Sequence, residues 1–307
     1  MICTLGGVLF MEETPMAEKD FKSIAEQLSL LASRGLTIEN NSIAEEFLLH
    51  NNYYRISGYS LTLRKNDKFY PSATMQNIMD IYNFDHALRH LLLEYIELIE
   101  VKMKSIYAYE IAKAYGPLSY QNPNLFSNTT KHSEILAKAE QQRLSRLPHE
   151  AYLKHFDDCG ECVPIWAYVD LLTIADISFL YAISIPSLKK SIADAFGFHP
   201  TKGSDLLRRF MHSMTIIRNL CAHGSRLYNR IFQQKPRLSK AELGLLRKNA
   251  NGTLDNAHLY GFLFIMKRML SASDFNEFKK KLIALSDHFS FVNMRYYGFR
   301  SDWRQRL

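Results

Sequence analysis

The chain has 307 residues, 47% of them hydrophobic and 22% charged, with a formal net charge of +7 and a pI near 9.1. That is enough apolar material for a sizeable core and too much for wholesale disorder. The basic balance favours an anionic partner without specifying a fold, and four cysteines are too few for a disulfide framework in a chain this long.

The first residues, MICTLGGVLFMEETPM, hold an apolar run with no basic stretch before it, which is a poor match to a signal peptide. Residues 1–16 are expected to be a disordered extension, with Met11 or Met16 as alternative starts. Ala17 to Arg34 places Phe21, Ile24, Leu28 and Leu31 at helical spacing, and Gly35 ends the pattern. A short helix over Ile43 to His50 follows. The stretch NNYYRISGYSLTLRKNDKFYPSATM then reads as a turn-rich connection with a little extended structure.

Met75 to Tyr115 contains neither Gly nor Pro. Ile78, Ile81, Leu88, Leu91, Tyr95, Leu98, Met103 and Ile106 recur three or four apart, predicting one long amphipathic helix. Asp85 and Arg89 form an i,i+4 pair on it, worth a few tenths of a kcal/mol (~0.2–0.5) if exposed. Glu97 and Glu100 lie on one side of it and either pair with an arginine or face solvent. Lys131 to Leu147 is polar and helix-prone. Pro164 to Ile185 is apolar enough to suggest a membrane span, but Asp170 and Asp176 fall inside it. Each would cost roughly 2.5–3.5 kcal/mol at mid-bilayer, so a buried helix is expected and no membrane partner. Cys159 and Cys162 make a single CxxC, weak for zinc without a second pair, and are read as structural thiols in a reducing cytoplasm.

Further helices are expected over Leu188 to Phe196, from Ser204 and Asp205 through His223, and over Lys240–Lys248, Leu254–Leu270 and Asp274–Phe289. No alternating strand series, repeat or linker appears. The expected architecture is all-α: a single helical bundle domain over 17–307 with peripheral helices.

The stretch IIRNLCAHGSRLYNR concentrates chemistry. On a helix Asn219 and His223 share a face, while Arg218 lies about 140° round from His223. Gly224 is a natural helix end. Imidazole gives and takes protons near neutral pH, and a guanidinium pairs with phosphate oxygens. Arg226 and Arg230 follow as candidate RNA contacts. An Arg-Asn-His grouping alone is more often structural than catalytic.

The RNLCAH segment resembles the Arg-x4–6-His motif of HEPN-type ribonucleases. HNNYYRISGYSLTLR, YNFDHALRHLLLEYIELIEVKMKSIYAYEIAKAYGP and the late YYGFRSDW are similar to segments of the Abi-like family, the AbiD/AbiF-type bacterial abortive-infection proteins. They occur in the same order from about Ser23 to Trp303. The resemblance implies a HEPN-type bundle, phage defence and a metal-independent endoribonuclease toxin. Its catalytic residues would be Arg218, Asn219 and His223, with no cofactor. It further implies restraint by a structured non-coding RNA in some members. Gly224 departs from the pattern, which has a second histidine there.

Arg55 and Tyr59, in the Tyr-rich segment, either pack or touch RNA, packing being favoured for the tyrosine. Arg300, Arg304 and Arg306 are interleaved with Tyr296, Tyr297, Phe299 and Trp303. That tail is either a single-stranded RNA contact or a docked segment with buried rings and wet arginines. One motif per chain supplies one histidine, and His212 lies eleven residues earlier, some 16 Å along the axis. A homodimer is therefore expected to bring the second acid or base. The competing expectation is a non-catalytic RNA-binding or sensor protein on the same scaffold.

Overall fold

The structure is a computed structural model of the chain and describes residues 20–198, 202–249 and 251–307. The expected disordered extension over 1–16 lies outside the described residues. The fold is all-α, with one two-stranded hairpin among the described residues. Its helices are α1 (Ile24–Ser33), α2 (Asn41–Asn51), α3 (Tyr53–Ser57), α4 (Met75–Tyr115), α5 (Thr129–Arg146), α6 (Ala151–Asp158), α7 (Ile165–Tyr168), α8 (Ile174–Ile183), α9 (Pro186–Ala195), α10 (Gly203–Ala222), α11 (Lys240–Gly244), α12 (Leu259–Met269), α13 (Ala272–His288) and α14 (Trp303–Arg306). The chain falls into two compact units, Met1–Ile78 and Met79–Leu307.

In the first unit, Ser23 and Glu26 form a capping box that starts α1, and Gly35 follows its end at φ +92°. The Tyr-rich stretch supplies α3 and the hairpin β1 (Arg64–Lys65) to β2 (Lys68–Phe69). Asn66 and Asp67 both take positive φ between the strands, which a two-residue hairpin of this hand requires.

In the second unit α10 is the hub, packing against α8, α9 and α12. Its Leu207, Phe210, Met211, Met214, Ile217 and Cys221 are buried at three-to-four spacing. Burying such a side chain stabilises by roughly 1.5–3 kcal/mol each. Helix α4 runs unbroken as the sequence predicts, with Phe84, Leu88, Leu92, Ile96, Ile99, Met103, Tyr107 and Ile111 buried along one stripe. Lys102 Nζ donates to the carbonyl of Met269 at the end of α12 (3.1 Å), and the Tyr95 ring meets Phe278 of α13 edge-on.

The single helix expected over Pro164 to Ile185 is a correction. It breaks into α7, a 3₁₀ turn over Val169–Leu171, and α8. Thr173 and Asp176 form a capping box that restarts the chain as α8, and Lys138 reaches Asp176 at 2.9 Å. Thr173-Ile-Ala-Asp176 is a helix start hidden inside an apolar run. Among the described residues no helix is long and apolar enough to cross a membrane. Helix α6 was not anticipated, and α11 and α12 are shorter than expected. Helix α10 starts at Gly203 after Lys202, without the side-chain cap expected of Ser204.

Candidate functional site

Helix α10 ends at the motif. His223 is its C-cap, at φ −86° and ψ 11°, and its amide still reaches the Asn219 carbonyl at 3.0 Å. Gly224 follows at φ +63°. Its amide bonds the Cys221 carbonyl (3.0 Å) and the Ser225 amide bonds the Leu220 carbonyl (2.8 Å). This pair of bonds is a Schellman motif, which needs a left-handed residue after the cap. A residue with a β-carbon at position 224 would lose roughly 1–2 kcal/mol in that conformation. The departure from the expected second histidine thus has a backbone reason. His223 is left exposed at the rim of the helix.

Arg218 and His223 point different ways, as their spacing requires. Arg218 lines a cavity of about 1160 Å³ together with Ala222, Glu97, Glu100 and Lys104, and His223 is not part of that lining. Arg218 Nε lies 3.5 Å from Glu100 Oε2, so Glu100 takes the arginine-pairing alternative. Glu100 also faces Lys104 at 3.2 Å, while Glu97 is exposed. Trp166, 60% exposed, lines the same cavity. Asn219 is half-buried, one turn before His223.

The chain after the motif is pinned from beneath by Asp85. The aspartate and Arg89 are both buried, at 0% and 2% exposure, and they are ion-paired. Asp85 Oδ1 accepts from the Tyr228 amide (2.8 Å) and the Tyr297 hydroxyl (2.9 Å), and its carboxylate also takes the Leu227 amide at 3.2 Å. The i,i+4 pair read from the spacing is therefore not exposed but a buried anchor. It joins α4 to the segment after His223 and to the C-terminal region. Burial also pushes the Cys221 thiol up to about 12, the neighbouring Arg89 opposing and Asp85 adding to the shift.

Arg226 donates to the Tyr228 carbonyl, and Arg230 to the Arg226 carbonyl at 3.1 Å, both half-buried beside the site. In the other compact unit, Arg55 is exposed on α3, whereas Tyr59 is completely buried and offers no ring face to a base. In the C-terminal segment Tyr297, Phe299 and Trp303 are buried. Arg300 and Arg306 pair with Asp302, and Arg304 with Asp287. The rings thus follow the docked-segment alternative, and the three arginines hold carboxylates at the surface. A second buried cluster escaped the sequence reading: His258 Nδ1 lies 2.7 Å from Asp255 Oδ1, with Arg247 on the other carboxylate oxygen. Burial pushes Asp255 up, but the hydrogen bond from His258 and the charges of His258 and Arg247 hold it below the usual carboxylate range. Among the described residues no group of three or more His, Cys, Asp or Glu side chains is placed to hold a metal ion.

No curated protein matches the chain, and no solved structure does. A family model described as Abi-like protein matches residues 46–229. The match takes in the Tyr-rich segment, all of α4 and the Arg218–His223 motif through Asn229. On that match, which covers more than half of the chain, this protein belongs to the Abi-like family.

Proposed function

We propose that this Abi-like protein, whose family points to abortive infection of phage-infected cells, acts as a metal-independent endoribonuclease toxin on a HEPN-type bundle. The observation that carries the reading is His223, exposed on a rigid Schellman end of α10, one turn from Asn219 and five residues from a cavity-lining Arg218. His223 takes the proton of a ribose 2′-hydroxyl, and the freed 2′-oxygen attacks the adjacent phosphorus. The 5′-oxygen leaves with a proton, giving a 2′,3′-cyclic phosphate and a 5′-hydroxyl. Arg218 stabilises the negative charge that gathers on the phosphate oxygens. Asn219 orients the imidazole or holds the ribose.

One imidazole cannot serve as base and as acid in the same step. Within a chain Arg218 and His223 are also about 140° apart. A two-fold homodimer resolves both, by setting His223 of each copy at a shared cleft. A structured non-coding RNA is the proposed restraint. The second reading, a non-catalytic RNA-binding or sensor protein, is favoured by one observation: the Arg218 charge is already met by Glu100.

The test is cleavage of RNA by purified protein, with end-group analysis of the products. His223→Ala should fold normally and cleave nothing, Arg218→Ala should be nearly as damaged, and Arg218→Lys should recover only in part. If each composite site needs Arg218 from one chain and a single His223 from the other, mixed Arg218→Ala and His223→Ala chains should regain one intact site; if both copies of His223 act on one phosphate, the mixture should stay inactive. Cleavage by well-folded His223→Ala at the parent rate would overturn the enzyme reading.

A further inference from the structure

The exposed stripe of α10 does not begin at His223. At about 100° per residue, Asp205, Arg209 and His212 fall within about 40° of His223 around the axis, and Arg208 within about 60°. Arg209 and His212 are exposed, and Arg208 is half-buried. At this far end of the helix a small cavity of about 260 Å³ is lined by Arg208, Arg209, Lys235, Arg237 and Phe179, among others. Asp205, which does not itself line the cavity, pairs with its arginines: Arg208 reaches it at 2.8 Å, Arg209 at 2.9 Å and Arg237 at 3.4 Å. One carboxylate thus serves three guanidiniums, and Lys235, exposed on the loop after the motif, makes no ion pair among the described residues. Four cations lining one hollow, with a single carboxylate shared by three of them, leave it positive, the kind of surface that attracts a polyanion. Phe179, 47% exposed, stands at its edge, with Lys131 Nζ 5.2 Å from the ring centroid. Cations for phosphates beside a partly exposed ring for a base are what a single nucleic-acid strand requires.

We propose that Arg208, Arg209, Lys235 and Arg237 form a phosphate cradle for single-stranded RNA, with Phe179 as the face on which one base stacks. Its two α10 members, Arg208 and Arg209, lie on the same stripe as His223, fifteen and fourteen residues back, or about 21–23 Å at 1.5 Å per residue. A strand held there runs along α10 and delivers a phosphate a few nucleotides away to the imidazole. The assignment rests on the reading that RNA is the substrate, and it adds the place where the strand is gripped apart from where it is cut. Asp205 holds the arginines together and yields them when a phosphate enters.

The test uses His223→Ala protein, so that RNA survives, and the fluorescence anisotropy of a short labelled single-stranded oligoribonucleotide across a salt series. Arg209→Ala/Lys235→Ala/Arg237→Ala should weaken binding at least about tenfold near 100 mM salt. It should also lower the slope of log K against log[salt] by about 2, from roughly 0.7 per lost phosphate contact. Should the triple variant fail to fold, Lys235→Ala/Arg237→Ala should lower the slope by about 1.4. Phe179→Ala should weaken binding about fivefold or more with the slope unchanged. A folded triple variant with unaltered affinity and slope overturns the cradle, as does a parent protein that binds no RNA. Loss of the slope with no effect of Phe179→Ala, and competition by tripolyphosphate equal to that by RNA, marks a plain polyphosphate site and overturns the assignment to a strand. Binding through the cradle by a parent protein that does not cleave would leave the cradle standing while the ribonuclease reading falls.

Discussion

Replacing Asp85 with alanine should be among the most damaging single changes outside the motif. The substitution removes the anion facing a buried guanidinium and, with it, the acceptor for the amides of Leu227 and Tyr228 and for the Tyr297 hydroxyl. Breaking a buried ion pair from one side typically costs about 3–5 kcal/mol. Each buried donor deprived of its acceptor adds about 1–3 kcal/mol when nothing replaces it. These terms share one side chain and do not add in full, so a loss of about 4–6 kcal/mol is expected. For a unit of this size that corresponds to a melting temperature lower by about 10–20 °C. Asp85→Asn keeps the shape and one acceptor oxygen and should lose about half as much. Urea unfolding followed by circular dichroism measures both. An Asp85→Ala protein within about 1 kcal/mol of the parent would refute the claim that this carboxylate anchors the segment after His223.

Three other outcomes are expected. On the proposed ribonuclease mechanism RNA cleavage should persist in EDTA, because His223 and Arg218 would supply proton transfer and charge stabilisation themselves; loss on chelation and recovery with a divalent ion would show that a metal takes part. Iodoacetamide at pH 8, read by peptide mass mapping, should label exposed Cys159 and Cys162 and spare Cys221, whose buried thiol is pushed up to about 12, until the protein is unfolded. Asp176 is pushed up by burial, but hydrogen bonds from Thr173 and Lys138 outweigh that and hold it below its ordinary value. Its contribution is therefore present above the unfolded value near 3.9 and is lost as pH falls through the lower folded one. Asp176→Asn should cost about 1 kcal/mol near neutral pH and progressively less as pH falls below the unfolded value, by urea unfolding at each pH.

The parts legible in the sequence were those governed by local rules. Helix α4 could be read to its end residues because 41 residues without Gly or Pro keep one apolar spacing. His223 and Gly224 marked the end of α10 because a left-handed glycine after a cap is a local requirement. The family could be read because separate segments kept their order; the Tyr-rich, α4 and motif segments fall within the match at 46–229, and YYGFRSDW, at 296–303, lies beyond it. What could not be read depended on distant partners. Asp85 and Arg89 look like any surface pair until the amides of Leu227 and Tyr228, more than 140 residues later, arrive above them. The arginines at 208, 209 and 237 are ordinary surface charges in the linear sequence, and they converge only because the chain after the motif folds back beside α10. The break at Thr173 was local but hidden: its capping box lies inside an apolar run that reads as one helix.

The protein has two tryptophans, and they occupy opposite environments: Trp303 is 4% exposed in the C-terminal segment, and Trp166 is 60% exposed in the wall of the cavity that holds Arg218. Trp303→Phe would leave Trp166 as the sole indole emitter. Its emission should then be red-shifted and readily quenched by acrylamide. A ligand that fills the cavity would shift it to the blue and shield it. Occupancy of the Arg218 side of the molecule could thus be followed optically, in real time and without a label.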